Sequence, residues 1–124
     1  MILDAGVLIS IDRGDEAART LLTTLVRARA PLHTTHAVVA QVWRNGPAQA
    51  RLGAFLKTVN VHPLDDGRSV GQLLAASRTS DPVDAHLIHL GLQLHDAILT
   101  GDPRDLQQVA EALGSRAPTI HAWP

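Results

Sequence analysis

Apolar and polar positions along this chain follow two alternating rhythms. Short runs of continuous apolar residues alternate with longer stretches in which apolar residues recur every three or four positions. Ile2 to Ile9 is apolar apart from Asp4 and the small residues Ala5 and Gly6, and predicts a buried strand running into a turn. From Asp15 to Ala30 the apolar positions are Ala18, Leu21, Leu22, Leu25 and Val26, which is helical spacing. Leu32 to Thr34 predicts a second strand. Thr34 or Thr35 can cap a helix carrying Val38, Val39, Val42 and Trp43, stopped at Asn45-Gly46-Pro47, and Ala48 to Lys57 forms another helix. Val59 to Leu64 alternates into a third strand.

The second half repeats this order. Asp65-Asp66-Gly67 starts a helix through Val70, Leu73 and Leu74, ended by the polar stretch Ser77 to Ser80. Pro82 to Leu94 is a strongly apolar helix, Ala97 to Thr100 a buried strand, and Pro103 to Leu113 a helix closed by Gly114. Thr119 to Trp123 is a last strand at the sheet edge. Strands that alternate with helices predict a three-layer α/β/α architecture around a mostly parallel sheet of four to five strands. No repeat, low-complexity tract or linker interrupts the chain, so residues 1–124 read as a single domain.

Composition narrows the chemistry. Cysteine is absent, which removes zinc-thiolate sites, redox pairs and thiol nucleophiles together. Lys57 is the only lysine, which leaves no Walker lysine or Schiff base beyond that one position. The formal net charge of −1 means that nucleic-acid contacts must come from local arginine clusters. Phe55, Trp43 and Trp123 are too few for a multi-ring base-stacking sheet. With neither a basic leader nor a long apolar run, a soluble cytoplasmic protein is expected, with no membrane association.

Aspartates mark the strand ends. Asp4 follows Ile2-Leu3, Asp102 follows Ala97 to Thr100 and Gly101, and Asp81 and Asp84 open the apolar helix. The pattern Asp-Pro-x-Asp occurs twice, at Asp81 to Asp84 and Asp102 to Asp105. Capping accounts for much of it: Asp suits the N-cap, Pro the first helical position, and an acid the first turn. On that reading Asp81 and Asp102 are caps and Asp84 and Asp105 first-turn acids. Capping does not account for Asp4 inside an apolar opening strand. Ligands of open α/β sheets bind beyond the carboxyl ends of the strands, so acids collected there would share a crevice. An all-oxygen set suits a hard ion such as Mg²⁺ or Mn²⁺.

Three of these segments resemble motifs of the PIN-domain nucleases. Ile2-Leu3-Asp4-Ala5-Gly6-Val7-Leu8-Ile9 is similar to the family's opening motif, Asp84-Ala85-His86-Leu87-Ile88 to its third-acid helix, and Leu99-Thr100-Gly101-Asp102 to its Thr-x-Asp strand end. Together they span essentially the whole chain in the family's order. The short length and the helix Val38 to Trp43 look most like the VapC-type toxins of bacterial toxin–antitoxin pairs. One position departs: where the family carries glutamate, Val38-Val39-Ala40-Gln41 has glutamine.

The resemblance implies a PIN-like domain that hydrolyses RNA phosphodiesters with Mg²⁺ or Mn²⁺. Asp4, Asp84 and Asp102 would be metal ligands. Asp81 would add the charge that Gln41 lacks, and Asp81 or Gln41 would position a second ion or the attacking water. Thr100 would orient an acid from the outer shell. Arg44 and Arg104 are candidate RNA contacts, with Arg51 and Arg78 further basic residues near the motifs. Implied partners are an RNA substrate, a small cognate antitoxin protein and a second copy of the chain, paired through the apolar faces around Leu21-Leu25 and Val38-Val42.

Two other readings compete. In one, Gln41 has weakened catalysis and the scaffold serves binding. In the other, Asp4 is the nucleophile of a Rossmann-type phosphotransfer or phosphatase domain; against it, Gly6 stands where a second acid belongs and no late lysine exists. The histidine pairs His33/His36 and His86/His89 lack a third metal ligand at recognisable spacing, and His86 and His89 are expected as satisfied interior or interface residues. No Gly-x-Ser-x-Gly elbow surrounds Ser10, Ser69 or Ser77.

Overall fold

A computed structural model describes residues 1–124. Five strands form one sheet in the order β3-β2-β1-β4-β5, all parallel: β1 (Ile2–Leu3), β2 (His33–Thr35), β3 (Asn60–His62), β4 (Ile98–Thr100) and β5 (Ile120–Ala122). This meets the expectation of a mostly parallel, three-layer α/β/α sheet, with β5 at one edge and β3 at the other. Helices α1 (Ala5–Arg13), α2 (Glu16–Ala28), α3 (His36–Val42) and α4 (Ala50–Leu56) precede β3, and α1 packs against the other three. Helices α5 (Gly67–Ser77), α6 (Pro82–Leu94) and α7 (Pro103–Ala110) pack on one another. Short 3-10 segments cover Gly46–Ala48 and Glu111–Arg116.

The opening segment is not a strand through Ile9. β1 stops at Leu3 and Ala5 begins a helix, which buries Val7, Leu8 and Ile11 and leaves Ile9 38% exposed. A short apolar run is compatible with either element, and here Asp4 decides. Its backbone is extended and its Oδ1 accepts the Ala5 N–H at 2.7 Å, so it is an N-cap. Two residues suffice as a strand because β1 is central and pairs on both sides. Gly14 then ends α1 at φ 64°, the left-handed conformation that glycine adopts without steric cost.

Caps fix most later helices. Asp15 accepts from Ala18 N–H, Thr35 from Val38 N–H, Asp66 from Ser69 N–H and Asp81 from Val83 N–H. Gln49 closes the turn between α3 and α4. Only 7% exposed, its Oε1 accepts the backbone N–H groups of Arg44 and Asn45 while its Nε2 donates to Val42 O and Asp12 Oδ2.

Across the outer pair of strands, His33 Nδ1 lies 2.9 Å from His62 Nε2, with the ring centroids 5.1 Å apart. His33 thus pairs across β2 and β3 and not with His36. His86 is buried and its Nδ1 lacks a hydrogen-bond partner; the buried His89 Nε2 also lacks one, at 3.8 Å from Asp66 Oδ2. The expectation of satisfied histidines is therefore corrected. Burial, reinforced by His89, lowers the His86 pKa and favours its neutral ring.

Candidate functional site

Parallel register brings the first and fourth strands' ends together. Leu3 pairs with Leu99, so the next residues, Asp4 and Thr100, lie side by side. Thr100 Oγ1 donates to Asp4 Oδ2 at 2.6 Å and accepts the Asp102 N–H at 3.0 Å. Asp4 is 9% exposed, and its other oxygen caps α1. A carboxylate offers about four lone-pair directions, so both oxygens keep acceptor capacity.

Asp84 faces this pair from the first turn of α6. Its pKa is raised to about 6, first by burial and then by the negative charges of Asp81, Asp4, Asp105 and Asp102. Three stretches of chain thus bring carboxylates near Asp84: the β1 end, the start of α6 itself, and the segment from the β4 end into α7. Asp102 precedes α7 without capping it, so the capping account fails for this residue and its exposed carboxylate is free. Asp81 is exposed and uses Oδ1 as a cap. Asp105, read from sequence as a first-turn acid, belongs to the same set; the repeated Asp-Pro-x-Asp pattern was the signal for it.

A polar crevice of about 340 Å³ opens beside these acids, lined by Asp81, Asp84, Asp105, Arg78, Ser80 and Gln108 among others. Arg78 has φ 56° and contributes the crevice's only cationic side chain. The other arginines differ. Arg44 donates to the carbonyls of Ala40 and Trp43 at the end of α3, Arg51 donates to Arg13 O, and Arg104 is exposed on α7. Gln41 is exposed on α3, the helix that begins at the carboxyl end of β2.

As the side chains stand, no three acidic or histidine residues are gathered tightly enough to hold a metal ion. Carboxylates without a counter-charge repel, and Asp81, Asp102 and Asp105 are exposed and free to spread. The donor chemistry nonetheless suits a hard divalent cation, because the set is all oxygen.

A solved structure shares this architecture. A chain from the crystal structure of VapBC2 from Rickettsia felis, bound to a DNA fragment from its promoter, superposes over 99% of this chain and 98% of that one, with a TM-score of 0.70 and 11% identity. This chain has the PIN-like fold. No family model matches the sequence, and no curated protein matches it. At such identity the likeness extends to the path of the backbone and not to individual residues. The helices do not span a membrane, since none is long and apolar enough.

Proposed function

We propose that this protein is a divalent-metal-dependent endoribonuclease, the toxin member of a toxin–antitoxin pair. What supports the reading is the placement of Asp4 and Asp102 at the ends of β1 and β4, tied together by the Thr100 hydroxyl, with Asp84 on α6 near enough for both their charges to raise its pKa. Asp4, Asp84 and Asp102 would hold a Mg²⁺ or Mn²⁺ ion, and Asp81 and Asp105 would add negative charge beside it. When bound, the ion supplies a phosphate clamp and a water of lowered pKa.

The protein's own groups do the rest. Thr100 fixes Asp4 in orientation and ties Asp102's backbone to the same hydroxyl. Asp84, half-buried at the start of α6, would be held as a ligand by the same surroundings that raise its pKa, first burial and then the neighbouring acids. Gln41 contributes at most an amide oxygen that orients water. Arg78 receives a phosphate of the RNA strand in the crevice; Arg104 is the other candidate contact.

The VapBC2 likeness supports a protein partner for this chain as well. An apolar groove of about 450 Å³ lined by Leu22, Leu25, Val26 and Phe55 offers a surface, with Val26 73% exposed. The α3 face expected to help in pairing is withdrawn, because Val38 and Val42 are in the core. A homodimer would therefore rest on α2 and not on Val38-Val42.

The alternative of a weakened, binding-only scaffold draws on Gln41 and on the open arrangement of the acids. Cleavage of single-stranded RNA by wild type in Mg²⁺ or Mn²⁺, abolished in Asp4→Asn and in chelator, supports the nuclease. Absence of cleavage with retained antitoxin binding supports the scaffold.

A further inference from the structure

His33 and His62 form a pair that their spacing in sequence does not show. In the parallel register of β2 and β3, His33 stands opposite Asn60 and Thr35 opposite His62, so the two histidines are diagonal neighbours on one face. His33 Nδ1 and His62 Nε2 are 2.9 Å apart, with the ring planes tilted by 40°. Two imidazole nitrogens bound to one Zn²⁺, each at about 2.0–2.1 Å, are separated by roughly 3 Å or slightly more. The pair therefore stands at the spacing of two ligands of one ion, and swinging the rings outward turns both lone pairs on a common point.

The surroundings favour that use. Both residues are half-buried and His62 lies on the edge strand, where an ion enters from solvent without opening the core. The backbone of His33 is fixed to the centre of the sheet, its N–H donating to Met1 O at 3.0 Å. Burial, then His62 and the terminal amine, lower the His33 pKa, so at neutral pH its ring is in the uncharged form that ligates. Imidazole suits borderline ions such as Zn²⁺ and Cu²⁺, carboxylates suit Mg²⁺ and Mn²⁺, and no cysteine competes for the softer ions. No three acidic or histidine side chains are gathered into a closed site, so water completes the shell of an ion held here.

We infer that His33 and His62 together bind one borderline divalent transition-metal ion, Zn²⁺ or Cu²⁺, at the β3 edge of the sheet. On binding, the proton shared between the facing nitrogens moves to the other nitrogen of its own ring, so both facing nitrogens offer lone pairs and no proton is lost. Two metal bonds replace one hydrogen bond and clamp β2 to β3. This site is separate from the carboxylates and independent of the nuclease reading.

The test titrates the full chain with zinc chloride in excess Mg²⁺, so that the carboxylates are served by a hard ion, and follows all seven imidazoles by proton–nitrogen correlation spectra. One equivalent of Zn²⁺ shifts the ring nitrogens of His33 and His62 together and leaves the others in place. His33→Ala and His62→Ala each weaken Zn²⁺ binding by at least the roughly tenfold lost with an outer-shell partner. His36→Ala, at the exposed start of α3, leaves it unchanged. With Cu²⁺, electron paramagnetic resonance shows coupling to two imidazole nitrogens in the wild type and to one in either alanine variant. An unshifted pair, a shift of one ring alone, or Zn²⁺ affinity unaffected by His33→Ala overturns the inference. If an alanine variant fails to fold, His62→Gln on the edge strand and the wild-type spectra still decide. Absence of RNA cleavage by the wild type removes the nuclease reading and leaves this result standing.

Discussion

The Thr100 hydroxyl sits between two carboxylate-bearing residues, giving its hydrogen to Asp4 Oδ2 and accepting the N–H of Asp102. A single buried oxygen thereby couples the ends of β1 and β4. Replacing it tests whether the coupling matters for the ion. Thr100→Val keeps the shape but leaves a buried carboxylate without its donor, and costs roughly 1–3 kcal/mol of stability. Mn²⁺ affinity measured by calorimetry falls about 10- to 100-fold, as for other outer-shell partners, and Thr100→Ser restores most of it.

Asp84 makes the protein respond to pH in a particular direction. Its folded-state pKa of about 6 lies above its ordinary value of 3.8, so between these values the folded chain holds a proton that the unfolded chain releases. Acidification from pH 7 toward pH 4 therefore favours the fold at this group. Asp84→Asn removes the repulsion outright. It stabilises the protein at pH 7 by on the order of 1 kcal/mol after allowing for solvent screening, seen as a higher Tm, and has little effect at pH 4. Thermal unfolding of both proteins across that range checks it. The same substitution lowers Mn²⁺ affinity, so gained stability and lost binding appear together.

Gln41→Glu adds the missing charge on α3. If α3 reaches the ion, Mn²⁺ affinity rises on the order of tenfold because ligand charge sets affinity, and RNA cleavage rises with it. An unchanged titration places Gln41 outside the metal's reach.

Gln49→Ala strips four hydrogen bonds from the α3–α4 turn and leaves two backbone N–H groups unsatisfied. Urea denaturation should show a loss of about 2–3 kcal/mol, with RNA cleavage per folded molecule unchanged.

The alternation of strands and helices was legible because each element carries its own period, and Pro82–Leu94 was placed to the residue by Asp81, Pro82 and the turn at His95. β1 was overextended for the opposite reason. Val7, Leu8 and Ile9 have strand-like composition, and the Asp4 cap together with the burial of positions 7, 8 and 11 selects a helix. Of the candidate site, Asp4 and Asp102 stood out through strand-end position and Asp84 at the opening of the apolar helix. Asp105 was hidden by an adequate capping explanation.

The imidazole pair at His33 and His62 gives the opposite edge of the sheet its own sensitivity to acid. A nitrogen-to-nitrogen hydrogen bond needs one ring to offer a lone pair, and it is lost once both rings are protonated. Burial, then His62 and the terminal amine, depress the His33 pKa, so its contribution to stability is intact above about pH 6.5 and fades as the unfolded chain captures protons below it. Acid thus relieves the carboxylates at the middle of the sheet while loosening the imidazole contact at its β3 margin.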